Sequence, residues 1–229
     1  MEFFDSLIKK ALEINQGLSE INYEYEADNA WSDVGFNQVI LQKHSAFELS
    51  GTGFNLVTSS PVKDGITVIG SDLADIKKDC GFTRISIVQI DEQQDEQKAY
   101  NLIRKIEYVK YHYFPDGYMI RTSSRSHKEA VRVSKQAIKS GISFQNVGNL
   151  LISKHKENSA VKGVRVIFIT SNEAQHKEFE QMAQKSNSIT ETLNHVMNSV
   201  NFDCDTCNLK AVCDEVEGMR ELHFKNKGM

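Results

Sequence analysis

No run in this sequence approaches the roughly 20 consecutive apolar residues that a membrane-spanning helix needs, although the chain is 40% hydrophobic. The start, Met1-Glu2-Phe3-Phe4-Asp5, lacks the basic and apolar regions of a secretion signal, so a cytoplasmic protein without a membrane partner is expected. Cysteine is scarce. Four residues in a chain of 229 are too few to staple a fold, which must therefore rest on its apolar core. Positive charge is not in excess either, and a net charge of -4 argues against a protein built mainly to coat nucleic acid. A Walker loop, a dinucleotide fingerprint and a recognisable Ser/His/Asp triad are all missing, which disfavours the common nucleotide-triphosphatase, dehydrogenase and hydrolase chemistries.

What the sequence does contain is an order of strands and helices. Phe4, Leu7, Ile8, Ala11 and Ile14 recur at helical spacing before Gly17. Tyr23 to Glu26 reads as a half-buried strand, with Trp31 and Phe36 as isolated anchors. Phe54 to Thr58 and Ile66 to Ile69 read as strands flanking Pro61 to Gly65, whose Asp64-Gly65 pair is a turn signal. Arg84 to Ile90 is rich in β-branched residues and reads as an inner strand. Ala99, Leu102, Ile103, Ile106 and Val109 form the apolar stripe of a helix predicted over Gln93 to His112.

Short strands are predicted over Tyr118 to Arg121 and Ala130 to Val133, and Ser134 and Ser143 can cap two helices. Val164 to Thr170 is the strongest buried-strand candidate. A helix from about Asn172 then leads towards the C-terminus, with a break predicted near Asn187. The alternation implies a layered α/β domain, or an α+β one, with a mixed sheet and flanking helices. The division expected is an α/β domain over residues 1–200 and a cysteine knuckle with a short helix over 201–229.

Two patterns carry chemistry. Residues 120–165 hold ten Lys or Arg against Glu129 and Glu157. Within that segment Arg121, Arg125, His127, Lys128, Arg132, Lys135 and Lys139 surround a polar loop and a helix start, a combination that binds anions through cations and fixed N–H donors. An ordinary basic surface has the same composition. The second pattern is Cys204-x2-Cys207-x5-Cys213. Thiolates at this spacing can close on zinc or an iron-sulfur cluster, with Cys80 or His223 as a further donor. Dithiol redox chemistry and simple reduced thiols are the alternatives. Asp203 and Asp205 oppose the redox reading, because adjacent carboxylates raise thiol pKa values.

Several segments together resemble the middle region of the β, or acetyl-CoA synthase, subunit of the carbon monoxide dehydrogenase/acetyl-CoA synthase complex. They are Phe4 to Ile8, Ala46 to Leu49, Asp64 to Gly70, Val131 to Ala137 and Phe202 to Cys207, with Gly141, Phe144, Asn146, Gly148, Leu151, Phe168 and Thr170 between them. The resemblance implies an α/β domain beside an active-site domain. It implies a coenzyme A-binding surface at Arg121, Arg125 and Arg132, with Ala130 where the family has a tryptophan. It also implies that Cys204, Cys207 and Cys213 match the first three ligands of a [4Fe-4S] cubane. The fourth cubane cysteine and the Cys-Gly-Cys of the distal nickel have no counterpart in these 229 residues, so the nickel site is expected to be incomplete on this chain. The expected role is a metal- or cluster-binding accessory module in one-carbon or coenzyme A metabolism, with a carbon monoxide dehydrogenase or corrinoid protein as partner. A partner-dependent enzyme and a structural zinc module are the rival expectations.

Overall fold

A computed structural model describes residues 4–35, 51–91, 96–117, 119–121, 128–171 and 176–197. Its frame is a five-stranded mixed sheet made from β1 (Glu20–Glu24), β2 (Thr52–Thr58), β3 (Gly65–Ile69), β5 (Thr83–Ile90) and β8 (Val161–Ile169), in the order β1-β3-β8-β5-β2. The central strand β8 runs parallel to β3 and antiparallel to β5, and β5 is parallel to β2. Val164, Val166 and Phe168 on one face of β8, and Ile167 and Ile169 on the other, are all buried. An apolar run of this kind cannot sit with one face in water, so helices must cover both sides. This satisfies the expected α/β layering.

The helices are α1 (Asp5–Ile14), α2 (Glu96–His112), α3 (Lys135–Lys139), α4 (Phe144–Lys156) and α5 (His176–Met197). Helix α4 lies over β3 and β8. Gly148 permits the approach, since a Cβ there would stand 2.4 Å from Ile66 Cγ1. At the start of the helix, Phe144 stacks on Phe168 with ring centroids 4.4 Å apart, and Phe82 closes the cluster. Ser143 caps α4 reciprocally with Asn146, which fixes where the helix begins. Asn55 Nδ2 donates to the Ile106 carbonyl at 3.1 Å, so α2 lies on the same face as α4. The Thr58 hydroxyl donates to Asp5 at 2.8 Å and places α1 on the other face.

Helix α5 protects the edge strand β2. Ser186 Oγ donates to the Asn55 carbonyl at 3.0 Å, and every residue of β2 is buried. Covering an edge in this way blocks its pairing with another chain. The helix runs without interruption through Asn187, contrary to the predicted break: the Asn187 amide bonds Glu191 on the same helix, and Ile189 and Leu193 continue the buried stripe.

The turn signal at Asp64-Gly65 does not make a hairpin. Strands β2 and β3 are separated in the sheet by β8 and β5. Asp64 instead ties the segment to β8 by accepting from the Val164 amide at 2.8 Å, and it pairs with Lys156. The first strand also begins earlier than expected, at Glu20, because it pairs antiparallel with β3 from Glu20↔Ile69 to Glu24↔Gly65.

A small antiparallel sheet stands beside the large one, with β7 (Glu129–Val131) between β4 (Cys80–Gly81) and β6 (Met119–Arg121). It joins the main sheet where Phe82 N donates to the Glu129 carbonyl at 3.3 Å and Thr52 N donates to the Phe82 carbonyl at 3.0 Å. Among the described residues no helix is long and apolar enough to cross a membrane.

Candidate functional site

The small sheet gathers side chains that are distant in sequence. Pairing of Cys80 with Val131 brings the segment before β4 against the residues after β7. Together Ile76, Lys77, Lys78, Asp79, Arg132 and Val133 line an open cleft of about 500 Å³. Lys77, Lys78 and Arg132 are exposed there. Arg132 forms a fork with Asp79: its Nη2 donates to Oδ2 at 2.6 Å, and Nε donates to Oδ1. The Asp79 hydrogen bonds and charge raise the Arg132 pKa. An incoming phosphate would have to share this guanidinium with Asp79. The two lysines are less committed, although Lys77 Nζ donates to the Ala74 carbonyl at 2.9 Å.

The basic segment read from sequence is therefore divided. Arg132 lies in the cleft, Lys135 and Lys139 are exposed on α3, and Lys128 pairs with Glu180 of α5. Arg121 ends β6 in register with Glu129, but its side chain is outside the described set, as are Arg125 and His127. Ala130 is buried in β7. The chain's own tryptophan is a structural strut. Trp31 Nε1 donates to the Asp116 carbonyl at 3.0 Å, and its amide donates to the Asn146 carbonyl at 2.9 Å.

Cys204, Cys207, Cys213 and His223 lie outside the described residues. Among the described residues no group of three or more His, Cys, Asp or Glu could hold a metal ion. The chemistry of the three-sulfur donor set suits a soft-metal site, supplying three corners of a cubane or of tetrahedral zinc and leaving one for another donor. Cys80 is half-buried in β4, where burial raises its thiol pKa and Lys78 opposes the rise only in part. Its Sγ–H donates to the Gly81 carbonyl at 3.2 Å. Burial and this hydrogen bond both favour the neutral thiol.

Sequence reasoning missed the most buried charges. Arg84 in β5 and Glu129 in β7 are 1% and 3% exposed and form a bidentate pair, with Nε–Oε2 at 2.9 Å and Nη2–Oε1 at 2.5 Å. The carboxylate rests over Gly53, where a Cβ would come within 2.2 Å of it. His155, near the end of α4, is also buried. Burial, aided by the Arg84 charge, lowers its pKa to about 3. The only sequence signal for this group is a charged residue inside a β-branched strand. Nothing local identifies its partner 45 positions away.

The sequence model of one family, described as the CO dehydrogenase/acetyl-CoA synthase complex beta subunit, matches residues 30–175. That span runs from just before Trp31 through β8 and includes both the small sheet and the basic cleft. Helix α1 and the three clustered cysteines fall outside it. No curated protein matches the chain.

Proposed function

The chain belongs to the CO dehydrogenase/acetyl-CoA synthase complex beta-subunit family, and on that premise we propose that it serves as an accessory module of acetyl-CoA synthase type. Its small-sheet cleft contacts the phosphates of an anionic ligand of the coenzyme A class, and its cysteines hold an iron-sulfur cluster. The observation that carries this reading is the coincidence of the family match with a cleft where Lys77, Lys78 and Arg132 converge from two separate segments. Lysine ammonium groups supply mobile point charges to a phosphate, and the Arg132 fork adds directional donors.

The expected partner is another subunit of such a complex, either a carbon monoxide dehydrogenase or a corrinoid protein. Arg121 and Arg125 belong to the same proposed surface. Cys204, Cys207 and Cys213 would hold the cluster, which when bound would supply a compact cross-link for the C-terminal segment.

Coenzyme A binding to the full chain, measured by calorimetry at low salt, is expected to weaken roughly ten-fold when Lys77 and Lys78 are both changed to glutamate, since exposed charge contacts contribute about 0.5–1 kcal/mol each. The loss should shrink as salt is added. Equal affinity in both proteins would reject the cleft as the binding surface.

The cysteine assignment has its own measurement. Anaerobically purified protein is expected to contain iron and sulfide, and Cys207→Ser should lose both. Zinc in their place would identify a structural knuckle, while unchanged metal content in the variant would exclude Cys207 as a ligand.

A further inference from the structure

Buried polar atoms almost always find a partner, because each unsatisfied one costs about 1–3 kcal/mol. One region of this protein departs from that rule several times over. Asn55 Oδ1, Arg84 Nη1, Ser86 Oγ and both ring nitrogens of His155 are buried without a hydrogen-bond partner among the described residues.

These groups are neighbours. Asn55 of β2 and Ser86 of β5 are paired across the sheet, so they point to the same face, and Arg84 lies two residues before Ser86 on that face. Helix α2 covers them, since Asn55 Nδ2 bonds the Ile106 carbonyl. Ile106 and His155 in turn both line a cleft of about 370 Å³ between α2 and the end of α4, with Lys105, Lys154 and Glu157 among its walls. The cleft therefore meets the same buried ground that the sheet residues occupy.

The donors left without a partner at this point suit an acceptor. Glu129 takes Nε and Nη2 of Arg84, leaving the Nη1 edge facing away from the carboxylate. The Arg84 charge is felt at His155, which places the ring close to the guanidinium. The unpartnered groups include an Arg N–H, a Ser hydroxyl and one imidazole N–H, which together suit the in-plane lone pairs of a flat acceptor.

We propose that the space between the sheet and helices α2 and α4 is a binding site for a small planar oxyanion of carboxylate type, held by Arg84 Nη1, Ser86 Oγ and the His155 ring and reached from the Lys105 side. This site is separate from the basic cleft of the small sheet, and neither depends on the other. Lys154 takes little part, since its ammonium bonds Glu157 at 2.7 Å.

The test is a titration of the full chain, labelled with nitrogen-15 in its histidines, with sodium formate and with sodium nitrate, using sodium chloride at matched ionic strength as the control. Saturable shifts of the His155 ring signals with both planar anions, absent with chloride, are the expected result. Ser86→Ala, which should fold because it removes one hydroxyl, is expected to weaken the response several-fold. Ring signals that stay still throughout, or that move equally with chloride, would overturn the proposal. So would a high-resolution crystal structure grown in formate with only water against Arg84 Nη1.

Discussion

Glu129→Ala is expected to lower folding stability by about 3–5 kcal/mol, because it strips the counter-ion from an arginine that cannot reach water. Arg84 is 1% exposed, and its guanidinium already has one nitrogen without a partner. The variant would leave a full charge in the interior next to His155. Unfolding in urea, with the slope unchanged and the midpoint lowered, is the measurement. The double variant Arg84→Met/Glu129→Leu removes both charges and is expected to recover much of the loss, since the large penalty belongs to the unpaired ion and not to the absent bond. A single variant as stable as the parent would mean that water reaches Arg84, contrary to its burial.

Acid is expected to destabilise the protein through His155 in a window that carboxylates do not fully share. Above about pH 6.5 the imidazole is uncharged in both the folded and unfolded chain, so it contributes no pH dependence. As the pH falls below that value, the unfolded chain takes up a proton that the folded chain refuses until about pH 3. Stability therefore declines with falling pH across this interval, by about 3 kcal/mol at about pH 4 from this group alone. The difference between parent and His155→Leu, followed by urea unfolding at each pH, isolates the effect from other titrating groups. A difference that is the same at neutral and acidic pH would show that His155 titrates normally and hence is not enclosed.

These two groups explain where sequence reading reaches its limit. Elements held together by periodic apolar residues were legible: Val164 to Ile169 reads as a buried strand, and the Leu102, Ile103, Ile106 and Val109 stripe reads as a helix, because each pattern repeats within a few residues. The caps at Ser134 and Ser143 were legible for the same reason, since their hydrogen bonds close within the next turn. Other bonds left no such trace: Asp64 gives its carboxylate to the Val164 amide, one hundred positions along the chain, and local spacing has no access to that bond.

The candidate cleft divides along the same line. Arg132 stood out in a basic segment, but Lys77, Lys78 and Asp79 became its companions only when β4 paired with β7. By itself the sequence determined the α/β layering and the inner strands, which depend on residue type at short spacing. Tertiary structure alone decided that Arg84 meets Glu129, that His155 loses its water, and that two lysines share a cleft with Arg132. Those outcomes depend on strand order and helix placement, which follow from the packing of the whole chain and leave no periodic trace along it.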